Sequence, residues 1–448
     1  MTHFDTIAAI ITAVGKSAIN VIRVSGENSI EIVNGIFKGK NLTKVKSHTV
    51  NYGFIYDEDK KIDEVLVSVF RSPKSYTEED CVEISSHGGT FIVMKILDLL
   101  LRRGCRLANP GEFTERAFLN GRIDLSHAEA VMDVIESSTD EALSLAHKGL
   151  SGDVYKLVHS LRERLIKIIA NIEINIDYPE YEDIEDLTSS KIKPEIVSLI
   201  NDLTDVTKKA EIGRIYRDGI ITTIVGKPNV GKSSLLNALI KEDKAIVTDI
   251  AGTTRDIVEG EINIGGIVLK LIDTAGIRET DNIVEKMGID KSNKAIEEAE
   301  LIILLLDSSK ELTDEDKALL EKTKNKKRII VGNKIDLGSK IKMNNIVPVS
   351  VIENKGLDIL EEKIKSLFIN EEITNINSLV ISNVRHINLL KKALESLKSA
   401  NSAIDSGDLI DMIEIDIKSA WNYLGEITGE TTKDELLDEL FGRFCVGK

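Results

Sequence analysis

Cysteine is scarce in this chain: Cys81, Cys105 and Cys445 are the three in 448 residues. None sits at the spacing of a metal-ligand pair and the seven histidines are scattered, so neither a zinc site nor a disulfide framework is expected. Proline numbers six and tryptophan one. No internal repeat or low-complexity tract is found, which excludes a solenoid or a long disordered tail. Long hydrophobic runs are missing too. Apolar stretches such as Leu301–Leu306 fall far short of a bilayer span, and Met1-Thr-His-Phe-Asp5 lacks a basic signal-peptide start. A cytoplasmic protein without a membrane segment is expected. Basic charge is in deficit, 58 Lys and Arg against 74 Asp and Glu, for a net −16. That balance disfavours a broad nucleic-acid surface, so any RNA contact must be local or supplied by a partner.

What is present is ample core material. At 42% hydrophobic the chain can bury sizeable cores, and its length suggests about three domains. Residues 1–119 alternate strand-like runs (Asn20–Val24, Glu64–Phe70, Cys81–Ser85) with a helix at Phe91–Leu101, an α/β pattern. From residue 120 the periodicity is helical. Ala128–Leu150, Tyr155–Ile176 and Ser190–Ile212 in 120–215, and His386–Ile404, Leu409–Leu424 and Lys433–Phe441 in 373–448, read as one helical domain in two parts. The α/β segment 216–372 is inserted between them. Two charge runs stand out. Lys322–Arg328 resembles an RNA patch but precedes a strand, where a solvated loop is expected, and the acidic Asp177–Asp186 reads as a connection between helices.

The insertion carries the chemistry. Gly226-Lys-Pro-Asn229-Val230-Gly231-Lys232-Ser233 follows the apolar run Ile220–Val225 and leads through Ser234 into a helix. This is a P-loop in its proper context: backbone N–H groups and a helix N-terminus converge on phosphates, Lys232 reaches the β/γ-phosphates, and Ser233 offers a hydroxyl to Mg²⁺. Asp273-Thr274-Ala275-Gly276 ends the run Ile267–Ile272 as a second switch would, with Asp273 on Mg²⁺ through water and the Gly276 N–H sensing a γ-phosphate. Asn333-Lys334-Ile-Asp336 ends another strand, where a carboxylate can accept the ring N–H and exocyclic amine of guanine. Adenine would leave Asp336 unpaired, which opposes an ATPase or kinase. Ser350 closes the base site, with Val351 where GTPases place alanine. Thr248-Asp249-Ile250-Ala251-Gly252-Thr253-Thr254 supplies a first switch, Thr254 being the candidate for Mg²⁺. Ile277 stands where Ras-like enzymes carry the water-orienting glutamine, so another group must do that work, and Asn229 can help seat a monovalent cation against the phosphates. The motifs together describe a GTPase.

Over its whole length the chain resembles the MnmE (TrmE) family of bacterial tRNA-modification GTPases. The resemblance is carried by Val24-Ser-Gly26, Ser75-Tyr-Thr77 with Glu83 and His87-Gly-Gly89, the run Pro110–Asn120, Thr248–Asp256, and Phe444-Cys-Val-Gly-Lys448. It implies an N-terminal domain similar to tetrahydrofolate-binding domains, a discontinuous helical domain and an inserted Ras-like G domain. It implies homodimerisation, with formyl-tetrahydrofolate held at positions matching Arg23, Glu83, Arg122 and Lys448. It implies K⁺ held by Asn229, Thr248, Ile250 and Thr253, Mg²⁺ held by Ser233 and Thr254, and Glu285 orienting the attacking water. It further implies a flavoprotein partner, MnmG, with which an aminomethyl or carboxymethylaminomethyl group is placed on carbon five of the wobble uridine of certain tRNAs. Two departures are visible. Arg122 replaces the usual lysine, a fork in place of a point charge, and Thr12–Asn20 lacks the usual Pro- and Gly-rich character. By composition alone Cys445 reads as a small buried hydrophobe, while the resemblance makes it a candidate nucleophile. The alternative function is a regulatory GTPase of ribosome assembly, a role of related proteins that usually carry a basic RNA-binding appendage.

Overall fold

A computed structural model describes residues 5–177, 185–242, 258–272, 293–369, 378–432 and 434–448. The chain divides into two compact units, Met1–Met132 with Leu424–Lys448, and Asp133–Tyr423.

The first unit is built on a seven-stranded sheet: β1 (Ile7–Ile10), β2 (Ile19–Ser25), β3 (Phe37–Gly39), β4 (Thr49–Asp57), β5 (Lys60–Phe70), β6 (Cys81–His87) and β7 (Arg106–Leu107), in the order β3-β4-β5-β6-β2-β1-β7. Neighbours pair antiparallel except β1 with β7. Along β5 Val65, Val67 and Val69 alternate inward, and they meet Val93, Ile96, Leu97, Leu99 and Leu100 of the helix Thr90–Arg102 in one core. In β4 the alternation in the sequence is inverted. Its inward positions include Asn51 and Gly53, whereas Val50 and Tyr52 face out. Gly53 is small because the Phe37 ring lies over it: a Cβ there would come within 2.5 Å of that ring.

The C-terminal tail belongs to this unit. The helix Asp434–Phe441 places Leu437 and Phe441, with Phe444, against Ala117, Ile123, Leu125 and Ala128. Beyond it Val446 bridges Pro110, and Phe113 N donates to Lys448 O at 3.1 Å. The composition-based reading of Cys445 as buried is corrected here. Phe441 and Phe444, with rings 5.4 Å apart, occupy the core and leave the Cys445 side chain exposed. Cys81 and Cys105 are buried, and burial pushes both thiols up to about 12.

The second unit contains helices Asp140–Leu150, Asp153–Asp177, Glu185–Asp218 and Val384–Ser406, most of Ile410–Thr428, and a six-stranded sheet. The continuous helix expected over Ala128–Leu150 is two. Thr139 takes an extended conformation and accepts from Ala142 N, capping the second helix ahead of Asp140 and Glu141. The sheet comprises β8 (Ile220–Val225), β9 (Val258–Ile264), β10 (Ile267–Ile272), β11 (Leu301–Asp307), β12 (Arg328–Asn333) and β13 (Ile346–Pro348), in the order β13-β12-β11-β8-β10-β9. All neighbours are parallel except β9 with β10. Leu301–Leu306 of β11 is buried throughout, as a strand covered on both faces must be. Lys322–Arg328 is the turn between the helix Asp314–Lys322 and β12. Its cations are engaged locally, Arg328 Nη1 donating to Thr323 Oγ1 at 2.8 Å and Lys327 lying over the Phe368 ring. Residues 178–184 of the acidic run lie outside the described residues.

Candidate active site

The carboxyl ends of β8, β11 and β12 meet at one place, where an open α/β sheet presents its loops to a ligand. After β8 the chain must turn tightly under β11: a Cβ on Gly226 would stand 2.5 Å from Leu305 O. Asn229 adopts φ 63°, a left-handed conformation that asparagine tolerates, and Gly231 follows at φ 103°. A Cβ on Gly231 would stand 2.3 Å from Asn333 Nδ2, so the loop lies directly against the Asn333–Asp336 motif. From Lys232 the chain is helical to Glu242, which points the helix N-terminus at the loop.

The motifs are tied together by hydrogen bonds. Asn333 Nδ2 donates to Val230 O at 2.9 Å, and Val351 N donates to Asn333 Oδ1 at 3.3 Å. Lys334, itself left-handed at φ 64°, donates to Asn229 O and to Asp307 Oδ2, both at 2.9 Å. Ser350 Oγ donates to Asp336 Oδ1 at 2.6 Å. Thus Asn229, Val230, Gly231, Lys232, Asn333, Lys334, Asp336 and Ser350 form one constellation.

Lys232 Nζ donates to Gly226 O at 2.7 Å and Lys227 O at 3.0 Å, arching back over its own loop. Burial holds its ammonium below the usual lysine range, an electrostatic cost that phosphate charge would relieve. Asp307 was not anticipated. Burial pushes its carboxyl up, but hydrogen bonds from Ser309 and Lys334 outweigh that and hold it below the usual range. Its only signal in the sequence is a carboxylate ending an apolar run.

The residues present fit Mg²⁺ and a monovalent cation in part. Ser233 is the second residue of the helix Lys232–Glu242, at the end that faces the loop, and Asn229 carries a side-chain carbonyl at the exposed lip. Thr248, Asp249, Ile250, Ala251, Gly252, Thr253, Thr254, Asp273, Thr274, Ala275, Gly276 and Glu285 lie outside the described residues.

A second constellation occupies the first unit. Arg23 on β2 faces Glu83 on β6 in direct register, with Nε and Nη2 at 3.0 and 2.9 Å from Glu83 Oε1. The Arg23 guanidinium stands 4.8 Å from the Tyr76 ring centre and 5.5 Å from that of Phe113. Arg122 stands 4.9 Å from the same Tyr76 ring and donates to Tyr76 O at 2.5 Å. Tyr76 OH is 2.9 Å from Thr114 Oγ1, and the backbone of Phe113 holds that of Lys448. Arg23, Glu83, Arg122 and Lys448 are therefore neighbours around Tyr76 and Phe113. Neither aromatic was singled out from sequence, although both lie inside the runs Ser75–Thr77 and Pro110–Asn120.

Residues 6–122 match the family model described as the N-terminus of the GTP-binding protein TrmE, and residues 125–445 match the MnmE helical domain. A tRNA modification GTPase MnmE from Lactococcus lactis subsp. cremoris is 50% identical, covering 100% of this chain and 99% of the relative. Another, from Streptococcus mutans serotype c, is 49% identical with the same coverage. Among solved structures, Era in complex with MgGDPNP and a segment of 16S ribosomal RNA is 28% identical over 40% of this chain and 66% of that one, with a TM-score of 0.26.

Proposed function

Since the chain belongs to the MnmE family and is a GTPase involved in tRNA modification, we propose that it hydrolyses GTP in a K⁺-stimulated cycle serving one reaction. With the flavoprotein MnmG, that reaction adds an aminomethyl or carboxymethylaminomethyl group to carbon five of the wobble uridine of certain tRNAs. The observation that carries the nucleotide half is the Ser350–Asp336 hydrogen bond beside the Asn333–Val230 tie. It fixes a carboxylate for guanine against the loop that takes the phosphates.

In this reading water attacks the γ-phosphorus, the bond to the β–γ bridging oxygen breaks, and GDP and phosphate leave. Lys232 neutralises charge on the β/γ-phosphates. Ser233 and Thr254 would hold Mg²⁺, which supplies charge neutralisation across the phosphates. Asn229, with Thr248, Ile250 and Thr253, would hold K⁺ in place of an arginine finger, and Glu285 orients the water.

The cluster of Arg23, Glu83, Arg122 and Lys448 supports formyl-tetrahydrofolate as the one-carbon donor. Two guanidiniums flank Tyr76, a carboxylate stands ready for donors on a heterocycle, and Phe113 adds an aromatic face. The protein works as a cytoplasmic homodimer. No helix among the described residues is long and apolar enough to cross a membrane.

Reconstitution tests the reading. The purified chain, MnmG, unmodified tRNA, formyl-tetrahydrofolate, NADH and GTP are combined in K⁺ or Na⁺ buffer. Modified uridine should form in K⁺ and fall sharply in Na⁺; equal yields would contradict the cation role given to Asn229.

A further inference from the structure

Lys227, the second residue of the phosphate loop, reaches out of that loop to the segment after β11. Its Nζ lies 2.7 Å from Asp316 Oδ2 and 2.7 Å from Thr313 Oγ1. Asp316 is only 4% exposed. It forms a capping box with Thr313: Oδ2 accepts from Thr313 N at 2.9 Å and from Thr313 Oγ1 at 2.8 Å. Its other oxygen, Oδ1, is buried without a hydrogen-bond partner among the described residues. A capping-box carboxylate usually sits in solvent, where the helix N-terminus is counter-charge enough. A buried one needs more, because an unpaired buried charge is costly. Here Lys227 supplies it: burial pushes the Asp316 carboxyl up, but hydrogen bonds from Lys227 and Thr313 outweigh that and hold it below its usual range.

The same residue also touches the reacting end of the loop through its backbone. Lys227 O accepts from Lys232 Nζ at 3.0 Å, so one residue joins the buried capping box to the phosphate-binding lysine. Pro228 follows it and stiffens the link.

We propose that the Lys227–Asp316 pair is a brace that sets the phosphate loop and Lys232 for the nucleotide, making Lys227 a positioning residue for the GTPase reaction. The loop cradles the α- and β-phosphates, which GTP, GDP and the transition state share, so a brace acts on binding in all three alike. Losing it raises KM and Kd together and leaves turnover at saturation little changed.

The test is nucleotide titration and steady-state hydrolysis by the full chain carrying Lys227→Met, Lys227→Arg, Asp316→Asn, or Lys227→Met with Asp316→Asn. Lys227→Met, which leaves the capping box intact, should raise the GDP Kd and the GTP KM by about tenfold each, with kcat within about twofold. Lys227→Arg should recover most of the affinity. The double variant should bind no worse than the weaker single variant, since the two side chains act as one unit. Wild-type affinity in Lys227→Met, or additive losses in the double variant, would overturn the brace. So would a fall in kcat at unchanged Kd, which would put Lys227 on the reacting phosphate.

Discussion

Ser350 Oγ lies 2.6 Å from Asp336 Oδ1, and Ser350 is fully buried while Asp336 stands exposed. The buried hydroxyl thus holds one oxygen of an exposed carboxylate in place, leaving the other oxygen and a second lone pair on the first for the two N–H groups of a base. Asp336→Asn replaces an acceptor by a mixed donor and acceptor, so preference should move from GTP towards xanthosine triphosphate. Ser350→Ala should weaken GDP binding by roughly tenfold, the usual worth of a hydrogen bond to a charged partner. Competition binding with the two triphosphates reads both, and unchanged GTP preference in Asp336→Asn would remove Asp336 from guanine recognition.

Asp307 anchors Lys334, so Asp307→Asn should weaken nucleotide binding and cost about 2 kcal/mol of stability at neutral pH, a typical value for a hydrogen bond to a charged group. The sign with pH follows from its depressed pKa. The contribution is full above the unfolded value near 3.8 and is lost as pH falls through the lower folded value. Urea denaturation of wild type and variant should differ clearly at pH 7 and converge as the medium is acidified below about pH 4. A constant difference across that range would show that Asp307 acts by packing alone.

The Tyr76 ring carries two guanidiniums, Arg23 at 4.8 Å and Arg122 at 4.9 Å from its centre. Tyr76→Ala should release both and weaken formyl-tetrahydrofolate binding by at least tenfold, while Tyr76→Phe, which keeps the ring, should bind nearly as wild type. Calorimetry measures both, and full affinity in Tyr76→Ala would mean that the arginines do not meet the ligand across this ring.

Glu285→Ala should leave GDP affinity within about twofold and slow hydrolysis by about 100-fold or more, the usual yield of a positioned acid-base group. Single-turnover hydrolysis decides it, and equal rates would assign the water to another group.

The described part of the nucleotide site was legible in the sequence because the phosphate loop and the Asn333–Asp336 motif stand at the ends of the strands β8 and β12. β8, β11 and β12 run parallel side by side and bring Lys232, Asp307 and Asn333 to one edge. Other features were hidden for physical reasons. β4 buries Asn51 and Gly53 and exposes Val50 and Tyr52, so its alternation reads inverted. The break at Thr139 is a capping event inside a helical periodicity, which hydrophobic spacing does not register. Cys445 was misread from composition because Phe444, its neighbour, takes the buried place. Asp307 and Tyr76 act through partners 27 and more residues away, Lys334 and the two arginines, which only the folded chain brings near.

We propose that this GTPase is needed to modify tRNA at carbon five of the wobble uridine. Mass spectrometry of nucleosides from bulk tRNA of the source cell, with and without the gene, tests it most directly. Selective loss of the aminomethyl-type uridines, restored by the intact gene but not by a Lys232→Ala copy, is the predicted result. Unchanged uridines in the deletion would overturn this role and favour one in ribosome assembly.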